Sequence, residues 1–433
     1  MTGFLIFAAV CAAAAAALFF KEYKSKNFDK YFYVLCAAGF ILRIATAGII
    51  KGYSSDISCF TAWSEAVFAN GLSKFYSSVS FSDYPPGYLY VLYTVSALRR
   101  LFGIGFDSAA YIILLKLPAI ICDILCGAVI FKFAVRSKKK YGFFAAAFFI
   151  FNPMVWFNSC IWGQVDSVFT LFILLALISL YEGRDIPSAL WYAAALIVKP
   201  QAVIVFPVYI YYIGDLIYKN KAGGIKTALI SAASGAALFF AAALPFSENL
   251  NPGWIFKLYM STLSSYKYAT LNTPNLYGLF GGNGIDISEK IFGISHAAWS
   301  YIFTVLLCIG SVFVYFGKKR RMFETAAFLV SAMYVLSAKM HERYFYPVFA
   351  FLMICFLINE DSRILIFNYI FTFIVYIASA WVLVLDITTG YPWIAAKNPC
   401  FILLSLICVT AFTAMTVYFL GGKICIKSKK KIG

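Results

Sequence analysis

Residues 51–100 read KGYSSDISCFTAWSEAVFANGLSKFYSSVSFSDYPPGYLYVLYTVSALRR. This is the first long stretch that is not continuously apolar, and it carries Asp56 and Asp83 between apolar flanks. On either side run segments of about 20 apolar residues, the length that crosses a ~30 Å hydrocarbon core as a helix. Of the 433 residues, 62% are hydrophobic and 13% charged, against about a quarter charged in a soluble protein. The apolar runs are unbroken rather than alternating, which excludes a closed β-barrel. The sequence therefore predicts an all-α, polytopic transmembrane bundle of about 11–14 helices. No stretch is long and polar enough for a separate soluble domain, so 1–433 reads as one integral-membrane domain.

The net charge of +17 would suit nucleic acid, but the Lys and Arg residues form short clusters between apolar runs. That is positive-inside topology and predicts no nucleic-acid partner. The first 20 residues resemble a signal sequence. They lack a basic start and are followed by KEYKSKNFDK, so a retained helix at 3–20 is expected. Lys21, Lys24, Lys26 and Lys30 then mark the cytoplasm, and a helix at 31–50 leads outward. In the outer loop 51–108, Phe60, Trp63, Val67 and Phe68 are spaced for an amphipathic helix at Ile57 to Ala69, lying on the membrane, with Asp56 at its N-cap. The next inner marks are Arg136, Lys138, Lys139 and Lys140, which require an odd number of crossings. The segment 109–133 crosses; 86–101 is expected to be re-entrant or interfacial.

Further crossings are expected at 142–157, 166–181, 187–199, 201–217 and 226–245. The member 187–199 spans only about 20 Å at 1.5 Å per residue, so Lys199 should lie below the outer surface in a protein-lined cavity. Lys219, Lys221 and Lys226 mark the inside. An outer segment, 247–296, rich in Gly, Asn, Tyr and Thr, precedes crossings at 297–316, 322–338, 344–358, 363–385 and 399–420. Lys318, Lys319, Arg320 and Arg321, then the basic C-terminus, mark the inside again. The region 360–433 carries no motif.

Five polar constellations fall on the outer side of this path: Asp56; Asp83-Tyr84-Pro85-Pro86; Trp162-Gly163-Gln164 with Asp166; Lys199-Pro200-Gln201; and His341-Glu342-Arg343-Tyr344. Charges at membrane depth are costly and usually mark function. Each has a plainer reading. Asp56 and Asp166 could cap helices, and Asp83 could form a turn before Pro-Pro. Trp162 and Gln164 could be interfacial anchors, and Lys199 could snorkel. Cys122 and Cys126, two of eleven cysteines, read as packing residues. Without H-E-x-x-H, a Cys/His cluster, a Walker A or a G-x-G-x-x-G after a strand, neither a metal nor a nucleotide cofactor is expected. Any activated substrate would arrive through the lipid.

The ordered series SSDISCFTAW, SDYPPGYLY, NPMVWFNSCIWGQVDS, VKPQ and MHERYFYP resembles the GT-C superfamily of multi-spanning glycosyltransferases. It is nearest the branch with the second GPI mannosyltransferase and its bacterial relatives, and is also similar to the glucosyltransferases that extend lipid-linked oligosaccharides. The resemblance spans Asp56 to Pro347. It implies a mannose or glucose donor on a polyprenyl phosphate, a glycan, lipid or protein acceptor, and a cell-membrane enzyme working on the extracytoplasmic face. Asp56 matches the first-loop acidic residue taken as general base.

The chemistry agrees. Sugar transfer from phosphate to a hydroxyl needs a base, with Asp56 the candidate and Asp83 second. It also needs cations or donors around the leaving phosphate: Lys199, His341 and Arg343, then Arg99 and Arg100. Trp162, Gln164, Asp166, Gln201, Glu342 and Tyr344 are expected to bind substrate. A single displacement inverts; Asp83 as a nucleophile would allow retention. The competing class is a transporter or lipid flippase without chemistry, which would place its charges at the midplane.

Overall fold

The computed structural model describes residues 28–316 and 321–421. The expected helix at 3–20, Lys21, Lys24, Lys26, Lys318, Lys319, Arg320 and the basic C-terminus lie outside the described residues. Among these residues the chain is a bundle of helices with four two-residue strands, as the apolar runs require. Every expected crossing from 31 onward falls on a helix. Five helices are long and apolar enough to cross a membrane alone, and a sixth span is a bent pair; the chain is a multi-pass membrane protein.

The helices are α1 (Phe28–Ala47), α2 (Ser54–Asn70), α3 (Pro86–Leu101), α4 (Ala109–Arg136) and α5 (Gly142–Ile150). A π-helical segment, Phe157–Trp162, follows. Then come α6 (Asp166–Tyr181), α7 (Asp185–Val198), a 3-10 turn Pro200–Val205, α8 (Phe206–Ala243) and α9 (Trp254–Ser265). The last five are α10 (His296–Tyr315), α11 (Met322–Leu336), α12 (Tyr346–Asn359), α13 (Ser362–Thr389) and α14 (Pro399–Gly421).

Helices α6, α11 and α12 are apolar and buried almost all round, which marks the centre of the bundle. Two breaks shape what surrounds them. The span expected at 142–157 bends by 46° after α5 and continues helically to Trp162. Pro153 cannot donate the ladder hydrogen bond, and Asn152 accepts from the Met154 and Val155 N–H groups, capping a new start. The two crossings expected at 201–217 and 226–245 share α8, broken at Lys221 with φ 45°. Gly224 lies against the Leu216 carbonyl, where a Cβ would not fit, so the chain doubles back there.

Helix α2 starts at Ser54, with Tyr53 at the N-cap and no side-chain cap. The capping role expected of Asp56 is therefore wrong; it stands in the first turn. Of the predicted apolar face, Phe60, Trp63 and Val67 are buried, with Ile57 in addition, while Phe68 is only half-buried. Helix α3 buries Tyr88, Leu89, Leu92 and Val95 in the same core.

Candidate active site

The site begins where two distant pieces of backbone touch. The Tyr53 N–H donates to the Trp162 carbonyl at 3.0 Å, and the two rings stack 4.6 Å apart. Gly52, at φ 112°, leaves no room for a Cβ against that carbonyl. Gly163, at φ 92°, ends the π-helical segment in the left-handed region. These two turns aim Trp162 and Gln164 at α2. The Trp162 Nε1–H donates to Asp56 Oδ2 at 2.7 Å and the Gln164 Nε2–H to the same oxygen at 2.6 Å. The interfacial-anchor reading of this pair is thereby replaced. Gln164 Oε1 accepts from the Tyr84 hydroxyl at 3.1 Å, which ties in the 81–86 loop.

Asp83 in that loop accepts from the Tyr266 hydroxyl at 2.8 Å, a bond across 183 residues that a local turn would not make. Burial pushes its carboxyl above the ordinary carboxylate range, against the pull of that hydroxyl.

Lys199 lies at the C-terminal end of short helix α7 and is 5% exposed, in a cavity as its position predicted. It is not a free cation: its ammonium is ion-paired with Asp166. Asp166 also accepts from the Asn158 side chain at 3.2 Å. Asp166 makes no side-chain cap and does not line the cavity. Both the cap and the substrate-contact expectations fail for it, because a buried Lys draws the nearest carboxylate.

The last constellation is carried in by a strand pairing. Thr270–Leu271 (β1) pairs in parallel with Met340–His341 (β4), and the Thr273 hydroxyl donates to the Met340 carbonyl at 2.7 Å. A second pair, Lys290–Ile291 (β2) with Ile294–Ser295 (β3), precedes α10. His341 packs edge-on against Tyr266, with centroids 5.2 Å apart, and against Tyr344 at 5.0 Å. Burial, then the Arg343 and Lys199 charges, holds His341 well below the usual histidine range. Arg343 pairs with Glu342 at 2.9 Å and stands 3.8 Å from Asp56 Oδ2. Burial opposes its charge, but Asp56 and Glu342 more than offset that. Burial likewise raises the Glu342 carboxyl against the pull of Arg343.

These groups line one cavity of about 410 Å³, with Asp56, Asp83, Trp162, Gln164, Lys199, Gln201, His341, Glu342, Arg343 and Tyr344 all on its wall. Among the described residues, Arg343 Nε and Gln201 Oε1 are buried without a protein partner. Arg99 and Arg100 are not on that wall. They lie in the last turn of α3, ion-paired with Glu65 at 3.1 and 2.8 Å, so the cavity gives no support to the phosphate role expected of them.

The sequence did not single out Tyr53, Tyr266, Tyr268, Asn272 or Trp393, which also line the cavity. The Tyr- and Asn-rich composition of 247–296 pointed to the segment but not to residues. Trp393 belongs to the region without a motif; the loop bearing it is held by Asn272, whose amide donates to the Pro392 carbonyl at 2.8 Å. Among the described residues no three His, Cys, Asp or Glu side chains converge as metal ligands. One carboxylate with an unshared oxygen, cations beside it and aromatic walls can accept a proton and hold an anionic, ring-bearing substrate.

Residues 81–338 match the model of Glycosyltransferase family 87. A crystal structure of ArnT from Cupriavidus metallidurans bound to undecaprenyl phosphate is similar, with a TM-score of 0.48 and 14% identity, over 92% of this chain and 77% of that one. No curated protein matches the sequence.

Proposed function

Because the chain belongs to glycosyltransferase family 87, we propose that it moves a hexose, mannose or glucose, from a polyprenyl-phosphate donor to an acceptor hydroxyl, with Asp56 as the base. The setting of Asp56 carries this reading. Its side chain is 19% exposed, open to the cavity. Trp162, Gln164 and Arg343 all address Oδ2. Among the described residues no donor reaches Oδ1, which is left for the proton.

The attacking hydroxyl loses its proton to Oδ1 as its oxygen bonds to the anomeric carbon. The bond from that carbon to the phosphate oxygen breaks, and the phosphate keeps the electron pair. A single displacement of this kind inverts the anomeric centre. Retention would need a carboxylate nucleophile; Asp83 is the candidate, and the anomer of the product decides. For the phosphate, Arg343 fits best: its charge is held and its Nε lacks a partner. His341 serves as an N–H donor. Lys199 ranks behind both, since Asp166 already occupies it.

A second cavity of about 420 Å³, almost wholly apolar, lies between α7, both halves of α8, and α9. Leu196 and Tyr259 on its wall are one turn from Lys199 and Thr262 on the polar wall. Walls one helical turn apart suit a donor whose phosphate sits in the polar cavity and whose chain lies along the apolar one. The basic clusters of the sequence support an extracytoplasmic position for the polar cavity, at the cell membrane. The transporter reading is the poorer one, because the charges gather around one base-bearing cavity in a transferase family.

The test is transfer by purified, reconstituted protein from polyprenyl-phosphate mannose and glucose to glycan, lipid and protein acceptors. Product with inverted configuration is expected. Product only from nucleotide sugars, or none with these donors, would overturn the reading. Impermeant thiol labelling of cysteines placed at Lys139 and Lys267 should find them on opposite sides.

A further inference from the structure

A buried polar cluster that the reaction does not use, and that does not line the cavity, is centred on α4. Asp123 is fully buried in this span, and its carboxylate is shared by three other elements. Arg43 of α1, also fully buried, donates from Nε to Oδ2 at 3.1 Å. Ser159 of the π-helical segment donates its hydroxyl to the same oxygen at 2.5 Å. The Tyr346 hydroxyl, at the start of α12, donates to Oδ1. The Arg43 guanidinium is otherwise occupied by the Ile150 and Gly39 carbonyls, at 2.5 and 3.3 Å, and lies 4.9 Å over the Trp156 ring.

Two of these donors stand next to the Asp56 site. Ser159 is three residues before Trp162, and Tyr346 three after Arg343, with the Tyr346 N–H bonded to the Arg343 carbonyl at 3.1 Å. Lys116, two turns before Asp123 on α4, secures the same region by donating to the Ala47, Ile50 and Cys160 carbonyls at 3.0, 2.7 and 2.7 Å. We infer that Asp123 is a positioning residue for transfer: it holds the Trp162 and Arg343 sides of the Asp56 site in one register. A buried ion pair is poor glue, since well-packed apolar residues of similar volume often stabilise as much or more. What a carboxylate with three donors supplies is a fixed spacing between the segments that bear them, and a 1 Å error at a reacting centre costs about 100-fold in rate.

The inference rests on the transferase reading, and its test separates the two. Tyr346→Phe removes one hydroxyl and leaves Arg43 paired. Asn359→Ala, at the far end of α12, removes a 2.8 Å contact to Glu324 and serves as the comparison. A purely structural loss lowers the active fraction and leaves the donor KM unchanged. Displacement of Arg343 raises donor KM severalfold and lowers kcat at least tenfold, which is expected for Tyr346→Phe and not for Asn359→Ala. A cryo-EM structure of Tyr346→Phe should show Arg343 and Asp56 farther apart than 3.8 Å. Unchanged spacing, or an unchanged donor KM, overturns the role of Asp123. If wild type transfers nothing, the transferase reading falls, and the measured spacing still decides whether Asp123 sets the geometry. Ser159→Ala repeats the test from the other segment should Tyr346→Phe fail to fold.

Discussion

Asp56→Asn is expected to abolish transfer while sparing donor binding and folding. The asparagine keeps an oxygen where Oδ2 accepts from Trp162 and Gln164 at 2.7 and 2.6 Å. Asp56 is not a helix cap, so α2 loses only a favourable charge near its N-terminus, about 0.3–1 kcal/mol. Arg343 loses one neighbour at 3.8 Å but keeps Glu342 at 2.9 Å, so no buried cation is left alone. The ability to accept a proton at Oδ1 disappears. Loss of a positioned base costs ~10²–10⁴ in rate, or about 3–5 kcal/mol of barrier. The assay is initial rate in nanodiscs with polyprenyl-phosphate mannose or glucose, alongside donor affinity and thermal midpoint. Near-wild-type turnover in a folded Asp56→Asn protein would refute the assignment and bring Asp83 forward; Asp83→Asn is otherwise the milder variant.

Lys199→Met should unfold the protein or lower its midpoint sharply, because it strands Asp166, 1% exposed, without its cation; breaking a buried pair costs about 3–5 kcal/mol. Adding Asp166→Asn should restore part of the midpoint, and a lone Lys199→Met at wild-type stability would count against the pair. Arg343→Gln should raise donor KM tenfold or more, and unchanged affinity for a polyprenyl phosphate would remove Arg343 from phosphate binding. His341, held below its ordinary range by burial and two cations, contributes stability above pH ~6.5 that is lost as pH falls through that value towards its folded pKa, at about 1.4 kcal/mol per pH unit. His341→Gln should therefore flatten the loss of stability between pH 6.5 and 5, and an unchanged slope would refute a depressed His341. Arg99→Ala and Arg100→Ala should leave donor KM within twofold, since both arginines pair with Glu65 away from the cavity.

The helices from 31 onward, most of the buried face of α2 and the cavity position of Lys199 were legible in the sequence. Each follows from hydropathy, spacing or length within one segment, and the cost of exposing backbone or charge to lipid is paid locally. The motifs also named five pieces of the cavity wall, but not the 262–272 and 382–393 segments that complete it. What the sequence could not fix was the pairing among them. Asp56 and Trp162 are 106 residues apart, and Asp83 and Tyr266 are 183 apart. The turns at Gly52 and Gly163 bring Trp162 and Gln164 to Asp56, and the β1–β4 pairing carries in His341. The same holds for the corrections. A cap, a turn former, an anchor and a free cation are read from immediate neighbours. Asp166 holding Lys199, Trp162 and Gln164 holding Asp56, Glu65 holding Arg99 and Arg100, and Asp123 joining three segments are decided by which partner is nearest in space when buried charge must be satisfied.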